Sequence, residues 1–440
     1  MPWEIRRRRL DTGSVARDGA SRQQGAPGDL LHLPELSPIV ERLEGVARNN
    51  GWAWPIGLAA VGVIVATVIA AVHRQLDLNT YLLGGEHAFS IELYRVVYPP
   101  THLGFTYPPF ATLWFVPFTH LPSRVDQVLI TWLSMAALFA LLAVCLRVTC
   151  PRLERRSVAW WALLLLTPAG LLDPIRETLI LGQVNILLAV AVTADMTLIR
   201  PQRRGVLVGL AAAVKMTPIL LIPYLVLTRQ TGAWRRATGA FVAAGAIAAA
   251  ISPGASWAYW TRDAWGPNRA GWLPWIGNQG AVAIVERLFH HTLSTVSLLA
   301  LCGGIVGVGL YLAVKLYQPS LPMLGFLVME VTESMASPVS WAHHMIWVVP
   351  LIGWLVLAVD RPRHGPWWAV AVSVVFFAAP IWWVPHGLIV KYAGHGWSVL
   401  LANSFFFVLV VILVASSVRV AARRRTAGQS PNPAETCEHR

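Results

Sequence analysis

Runs of about 20 apolar residues, separated by short polar junctions, recur along this chain from residue 54 to residue 418. A run of that length is what an α-helix needs to cross the hydrocarbon core of a bilayer. The candidates are 54–72, 125–147, 157–172, 181–199, 206–228, 236–252, 297–316, 320–334, 342–358, 366–385 and 397–418. Several are short and imply tilt or half-helices. Residues 107–121 are also apolar, but Pro108, Pro109 and Pro117 make them a separate short span or a re-entrant piece packed against protein. Composition closes off other classes. Of the 440 residues 13% are charged and 55% are hydrophobic, against roughly 25% charged in soluble domains. Such a chain can neither coat a soluble surface of its size nor stay disordered. The expected fold is all-α, a polytopic membrane domain over 51–420 with roughly 10 to 12 transmembrane helices. A disordered basic tail at 1–50 precedes it, with a short surface helix from Ser37 to Asn49, and a second tail follows at 421–440. Arg6 to Arg9 are not followed by an apolar stretch for some 45 residues, so no signal peptide is read. The cysteines at 145, 150, 302 and 437 have neither CxxC nor metal-ligand spacing, and no disulfide or metal is expected.

Basic residues orient the set, because Lys and Arg accumulate in cytoplasmic junctions. Arg42 and Arg48 precede the first run. Arg147, Arg152, Arg155 and Arg156 form one junction, Arg200, Arg203 and Arg204 another, and Arg229, Arg235 and Arg236 a third. Lys315, Arg361, Arg363, Arg419 and the arginines at 423–425 complete the pattern. Placing all of these inside works if 107–147 makes one net crossing and 205–229 makes none or two short ones, a hairpin broken at Lys215-Met216-Thr217-Pro218. Both termini are then cytoplasmic, in a plasma membrane. The formal net charge of +13 is mostly this orientation signal, reinforced by anionic lipid, and does not point to nucleic acid. The segments rich in polar and aromatic residues, at 73–110, 173–185, 252–297, 337–344 and 385–397, then share the outer face. A transporter places its polar groups near the midplane on repeated halves. No such repeat is found, and polar loops gathered on one face fit an enzyme of the outer leaflet better.

Each polar constellation has a bland reading and a chemical one. Asp77, in Asp77-Leu78-Asn79-Thr80-Tyr81, is either a solvated loop acid or a partly desolvated carboxylate suited to general base catalysis. Residues 105–110, with Tyr107, are a rigid proline entry into a helix that can also wall a site opposite Asp77. Gln183 and Asn185 enter an apolar helix, where amides bond to neighbouring helices or to sugar hydroxyls. Lys215 either snorkels or serves as counter-ion to a lipid phosphate. In Ser337-Pro338-Val339-Ser340-Trp341-Ala342-His343-His344 the adjacent histidines diverge by about 100° on a helix, so at most one need face a site. They lack the spacing of three or four that a zinc pair prefers. The loop 252–297 carries Trp257, Trp260, Trp265, Trp272 and Trp275, which anchor at an interface or stack on sugars, with Asn278 and Gln279 as polar partners.

In their order along the chain these motifs resemble the actinobacterial membrane mannosyltransferases that use a polyprenyl-phosphate-mannose donor. These are the PimE-like α-(1→2)-mannosyltransferases of the GT-C superfamily. The resemblance covers most of 54–420. It implies an aspartate, matching Asp77, acting as general base on the acceptor hydroxyl, with inversion from a β-linked donor to an α-linked product. The leaving group is already a phosphate, so no general acid is required. The site must instead stabilise growing phosphate charge, for which Lys215, His343, His344 and Arg176 are the candidates. Tyr81, Tyr107, Gln183, Asn185, Asn278, Gln279 and Trp341 are expected at the sugar and acceptor. The implied partners are the polyprenyl-phosphate-mannose donor, a phosphatidylinositol mannoside or lipomannan-type acceptor, and membrane lipid. Neither cofactor nor metal is implied, and a monomer is expected. A polyprenyl-phosphate-arabinose or -glucose donor, or transport of a lipid-linked sugar, are the alternatives.

Overall fold

The computed structural model describes residues 37–100, 102–266, 273–386 and 396–428. Its helices in chain order are α1 (Ser37–Asn49), α2 (Ala53–His73) and α3 (Leu76–Glu86). A two-residue hairpin, β1 (Val97–Tyr98) with β2 (Leu103–Gly104), leads to α4 (Pro109–Phe115), α5 (Ser123–Thr149), α6 (Arg155–Gly170) and α7 (Asp173–Leu181). Then come α8 (Asn185–Thr197), α9 (Val206–Val214), α10 (Leu221–Leu227), α11 (Thr231–Ile251), α12 (Pro253–Thr261) and α13 (Ala281–Phe289). The rest are α14 (Thr295–Leu316), α15 (Met323–Ala336), α16 (Val348–Leu357), α17 (Gly365–Ala378), α18 (Trp397–Ala402) and α19 (Ser404–Gly428). This is an all-α membrane architecture.

Among the described residues, five helices are long and apolar enough to cross a membrane: α2, α5, α14, α17 with the turn after it, and α19. Counting α6 with α7, which meet at a 78° bend, gives six. Of the other expected spans, the one at 236–252 falls in the 21-residue α11, which is not among the five, and the rest are shorter. The helices α8 and α16 and the stretch Thr217–Leu227 have 10–17 residues and can take part in a bilayer only as tilted or partial pieces. The long helices leave apolar stripes uncovered, such as Val61, Ile64, Val65 and Val68 on α2 and Val411, Val414 and Val418 on α19. Patches of this kind are what lipid covers. Inside, α5 is the axis, packed by α2, α6, α8 and α16 around the fully buried Leu138 and Leu141.

Of the tail at 1–50, residues 1–36 lie outside the described residues, and the short helix expected from Ser37 to Asn49 is α1. It docks on the start of α6: Trp161 Nε1 donates to Leu43 O at 3.0 Å, and the Glu154 N–H donates to Glu44 Oε1 at 3.1 Å. The apolar side chains Val40 and Ala47 bury themselves, which a solvated tail has no means of doing. At the other end α19 runs to Gly428, and 429–440, with Cys437, lie outside the described residues. Cys145, Cys150 and Cys302 are free thiols.

Two local features position the site. The α9–α11 segment is the expected hairpin. A Cβ on Gly205 would strike Ala233, and one on Gly209 would strike Ala237. The contacts advance in the same direction along both chains, so α9 and α11 run parallel and 215–230 returns to its starting side. The nine residues of α9 rise about 14 Å, roughly half the core of a bilayer, so Lys215 ends a half-helix. Buried Asp195 fixes the entry by accepting from the N–H groups of Gly205 and Val208 at 2.8 and 2.9 Å. The second feature is the α2–α3 elbow, where Arg74 and Gln75 both adopt positive φ, 58° and 41°. Side-chain-bearing residues do this at about 1–3 kcal/mol each. Bonds from Gln75 Nε2 to Thr131 Oγ1 (2.9 Å) and Leu179 O (3.0 Å) hold the turn, as does Asn79 Nδ2 to Arg74 O (2.7 Å).

Candidate active site

The elbow places Asp77 in the first turn of α3, where the helix dipole favours an anion. Facing it is Gln183, just past α7. Gly182 makes that approach possible, since its φ is +72° and a Cβ there would lie 2.7 Å from Leu78 Cβ and 2.9 Å from Gln75 Cβ. Only glycine tolerates both demands. Gln183 Nε2 donates to Asp77 Oδ2 at 2.5 Å, while its Oε1 accepts from the Tyr107 hydroxyl at 3.0 Å. Tyr107 spends its proton on Gln183, so the Tyr81 hydroxyl, 2.8 Å away, donates to Tyr107. The relay runs Tyr81 to Tyr107 to Gln183 to Asp77. Tyr107 is carried by the 105–110 segment, whose Pro108 and Pro109 start α4, and the two tyrosine rings stack at 5.0 Å. Asp77 is half-buried. Burial pushes its carboxyl up to about 6, opposed by the Gln183 hydrogen bond and the charge of Lys215.

On the other face of Tyr107 stands Lys215, its ammonium 5.2 Å from the ring centroid, close enough for a cation–π contact. Its Nζ donates to Asn185 Oδ1 at 2.7 Å and lies 3.1 Å from His344 Nε2. Asn185 Nδ2 in turn donates to the His343 carbonyl at 2.8 Å. This ties the start of α8 to the 3-10 turn Ala342–His344. His344 Nε2, 3.1 Å from the ammonium, meets it as an acceptor, which only a neutral ring can do. Its other nitrogen bonds to the Val339 backbone. Of the pair, His344 therefore faces Lys215. His343 offers its carbonyl, while its ring Nε2 is buried without a partner, an orphan open to a substrate hydroxyl or phosphate.

Asp77, Tyr81, Tyr107, Gln183, Asn185, Lys215, His343 and His344 thus form one contiguous polar site, drawn from five separate stretches of sequence. The remaining expected residues serve elsewhere. Arg176 pairs with fully buried Asp173 at 2.7 Å, and that carboxylate also accepts from Trp382 Nε1 at 3.0 Å. The guanidinium pins the α6–α7 bend and does not join Lys215. Asn278 and Gln279 are fully buried, with all four side-chain bonds of Asn278 and three of those of Gln279 used. Asn278 donates to Leu273 O and Pro338 O and accepts from the N–H groups of Gly280 and Ser340. Gln279 donates to Ile276 O and Ala402 O and accepts from Phe406 N–H. An amide has two donors and two acceptor sites, so Asn278 has nothing left for a sugar; both residues are scaffold. Trp341 bridges Asn278 through its backbone and packs edge-on against Trp275 at 5.5 Å. Trp257 and Trp265 are mostly exposed, as interfacial anchors are, and Trp272 lies outside the described residues. Sequence reasoning passes over Gln75, which holds the elbow, and over Glu330 and Glu333. Two acids in an otherwise apolar run are a legible signal for the latter.

Residues 105–338, more than half of the chain, match glycosyltransferase family 87. The chain belongs to that family. As a family 87 glycosyltransferase it is similar to a protein of Mycobacterium tuberculosis named polyprenol-phosphate-mannose-dependent alpha-(1-2)-phosphatidylinositol mannoside mannosyltransferase. The two are 27% identical over 86% of this chain and 94% of that one. A Mycolicibacterium smegmatis relative, named as the corresponding phosphatidylinositol pentamannoside mannosyltransferase, is 31% identical over 66% of this chain and 70% of its own. No solved structure matches the chain.

Proposed function

We propose that this glycosyltransferase moves mannose from polyprenyl-phosphate-mannose to a phosphatidylinositol mannoside or lipomannan-type glycolipid, at the outer face of the plasma membrane. The observation that carries the reading is the pairing of Asp77 with Lys215 across Tyr107. A half-buried carboxylate held by one amide bond stands near a buried ammonium with an adjacent neutral histidine. That is the charge arrangement a single displacement on a glycosyl phosphate needs. Asp77 removes the proton of the acceptor hydroxyl as its oxygen attacks C1 of mannose. The bond from C1 to the phosphate oxygen breaks on the opposite side, and polyprenyl phosphate leaves with one more negative charge. Lys215 and the donors around it stabilise that charge. Gln183 aims the base, and Tyr107 touches both halves of the site, bonding to Gln183 through its hydroxyl and meeting Lys215 with its ring. With a β-linked donor the product is α-linked, in keeping with the named linkage of the relatives. The outer-face assignment draws on the accumulation of Lys and Arg at the opposite junctions.

The test presents the purified protein with a mycobacterial-type phosphatidylinositol mannoside and, in parallel, polyprenyl-phosphate-mannose, -arabinose and -glucose. Mannosyl transfer from the first donor alone is expected. Transfer from another donor would replace the sugar assignment. Lipid-linked sugar crossing proteoliposomes without transfer would replace the enzyme by a transporter.

A further inference from the structure

The site leaves two ionisable side chains unused. Glu330 and Glu333 lie three residues apart on α15, and so on one face of it, in an otherwise apolar helix. Both line a small polar cavity of about 50 Å³ with Asn185, Lys215, Thr217 and His344. Glu333 is hydrogen-bonded to Thr217, two residues beyond the lysine. Yet neither glutamate touches the ammonium, whose bonds go to Asn185 and His344. The groups facing Lys215 are therefore Asp77 from α3, Tyr107 from the α4 entry, the two histidines before α16, and Glu330 and Glu333 from α15. Ionised groups inside a helix bundle are costly unless compensated. A carboxylate in direct contact would compensate the lysine but consume its donors. One held across a cavity compensates it without taking the donor that Asn185 and His344 leave unused.

We propose that Glu333, packed beside Glu330 on α15, is a positioning residue for Lys215. It is a counter-charge that keeps the buried ammonium in place at the end of α9 while the N–H not given to Asn185 or His344 remains available to the donor phosphate. This rests on Lys215 receiving that phosphate, as in the reading above.

The test is a double-mutant cycle on the full-length protein with Glu333→Gln and Lys215→Met. It is read by steady-state transfer and by thermal stabilisation with polyprenyl phosphate. Glu333→Gln is expected to lower kcat/KM for the donor about tenfold, to leave the KM for the glycolipid acceptor unchanged, and to weaken stabilisation by polyprenyl phosphate. Glu333→Asp should recover most of the loss. In the Lys215→Met background Glu333→Gln should have no further effect. An equal loss in both backgrounds, a matching rise in the acceptor KM, or tighter binding of polyprenyl phosphate overturns the proposal. If Glu333→Gln does not fold, Glu330→Gln carries the same cycle, with a smaller effect of the same sign expected and no coupling to Lys215 overturning it. Failure of the underlying reading shows separately, as a Lys215→Met protein that is stabilised by polyprenyl phosphate like the parent.

Discussion

Two buried amide clusters look alike in the sequence and do opposite work in the structure. In one, Asn278 and Gln279 give their hydrogen bonds to backbone groups of 273–280, 338–340 and 402–406. In the other, Gln183 and Asn185 bond to a carboxylate, a phenol, an ammonium and a carbonyl. The first cluster satisfies backbone that no helix serves and is closed to any ligand. The second holds titratable side chains in fixed relation and leaves Asp77 half open. What separates scaffold from site in a membrane protein is therefore the identity of the partners. A buried amide spent on backbone is structural, and one spent on an ionisable group is a positioning device.

The sharpest way to break this contrast is at Asp77. Asp77→Asn should reduce transfer by about 10²–10⁴-fold, the usual worth of a general base. It should fold as well as the parent. The carboxyl titrates above its unfolded range, so its contribution to stability is present at low pH and lost as pH rises through about 6. At neutral pH the neutral amide thus forfeits nothing. Transfer measured alongside thermal unfolding checks both halves, and full activity in Asp77→Asn removes the base assignment. The same group sets the pH dependence. Its active form is the deprotonated one, so kcat/KM should fall as pH drops through about 6, up to tenfold per unit, in a pH–rate profile.

Asn278→Ala should do the reverse, lowering stability by about 1–3 kcal/mol for each backbone group left without a partner while the folded fraction keeps its rate. A lower melting temperature with unchanged activity per folded molecule is the expected result. A rate loss at unchanged stability would move Asn278 back into the site. Gly182→Ala tests the seam between the two regions. The left-handed backbone costs about 1–2 kcal/mol with a side chain, and the collision with Leu78 and Gln75 displaces Gln183, so stability and rate should fall together. Tyr107→Phe should give the smallest change. It removes the hydrogen bonds to Gln183 and from Tyr81; the one that aims the base is worth about 0.5–1.5 kcal/mol, and a loss of roughly 2- to 12-fold in kcat/KM is expected.

Much of the fold is legible because each apolar run answers to the bilayer by itself. The ends of α2, α5 and α14 lie within two residues of the runs read as 54–72, 125–147 and 297–316. The break at 215–218 is legible from a lysine and a proline in one apolar stretch, and the proline entry at 108–109 from ring geometry. The end of the run read as 157–172 is legible from Asp173 and Pro174, but the 78° bend that α6 and α7 make there is not. What turns the chain there is the Arg176–Asp173 pair and its bond from Trp382, which comes from the far end of the sequence. Arg176 was misplaced for the same reason: spacing shows a cation near a site and not the acid that already holds it.

By itself the sequence determined that this chain lives in a membrane, where long helices such as α2, α5 and α14 begin and end, and which residue types its chemistry draws on. Hydrophobic run length and local breakers act over a few turns and need no partner. The tertiary structure alone decided which of two adjacent histidines meets Lys215, that Asn278 and Gln279 are scaffold, and that Glu330 and Glu333 stand behind the lysine. Those outcomes depend on which groups from distant segments exhaust one another's hydrogen bonds and charges. A one-dimensional pattern carries no record of that.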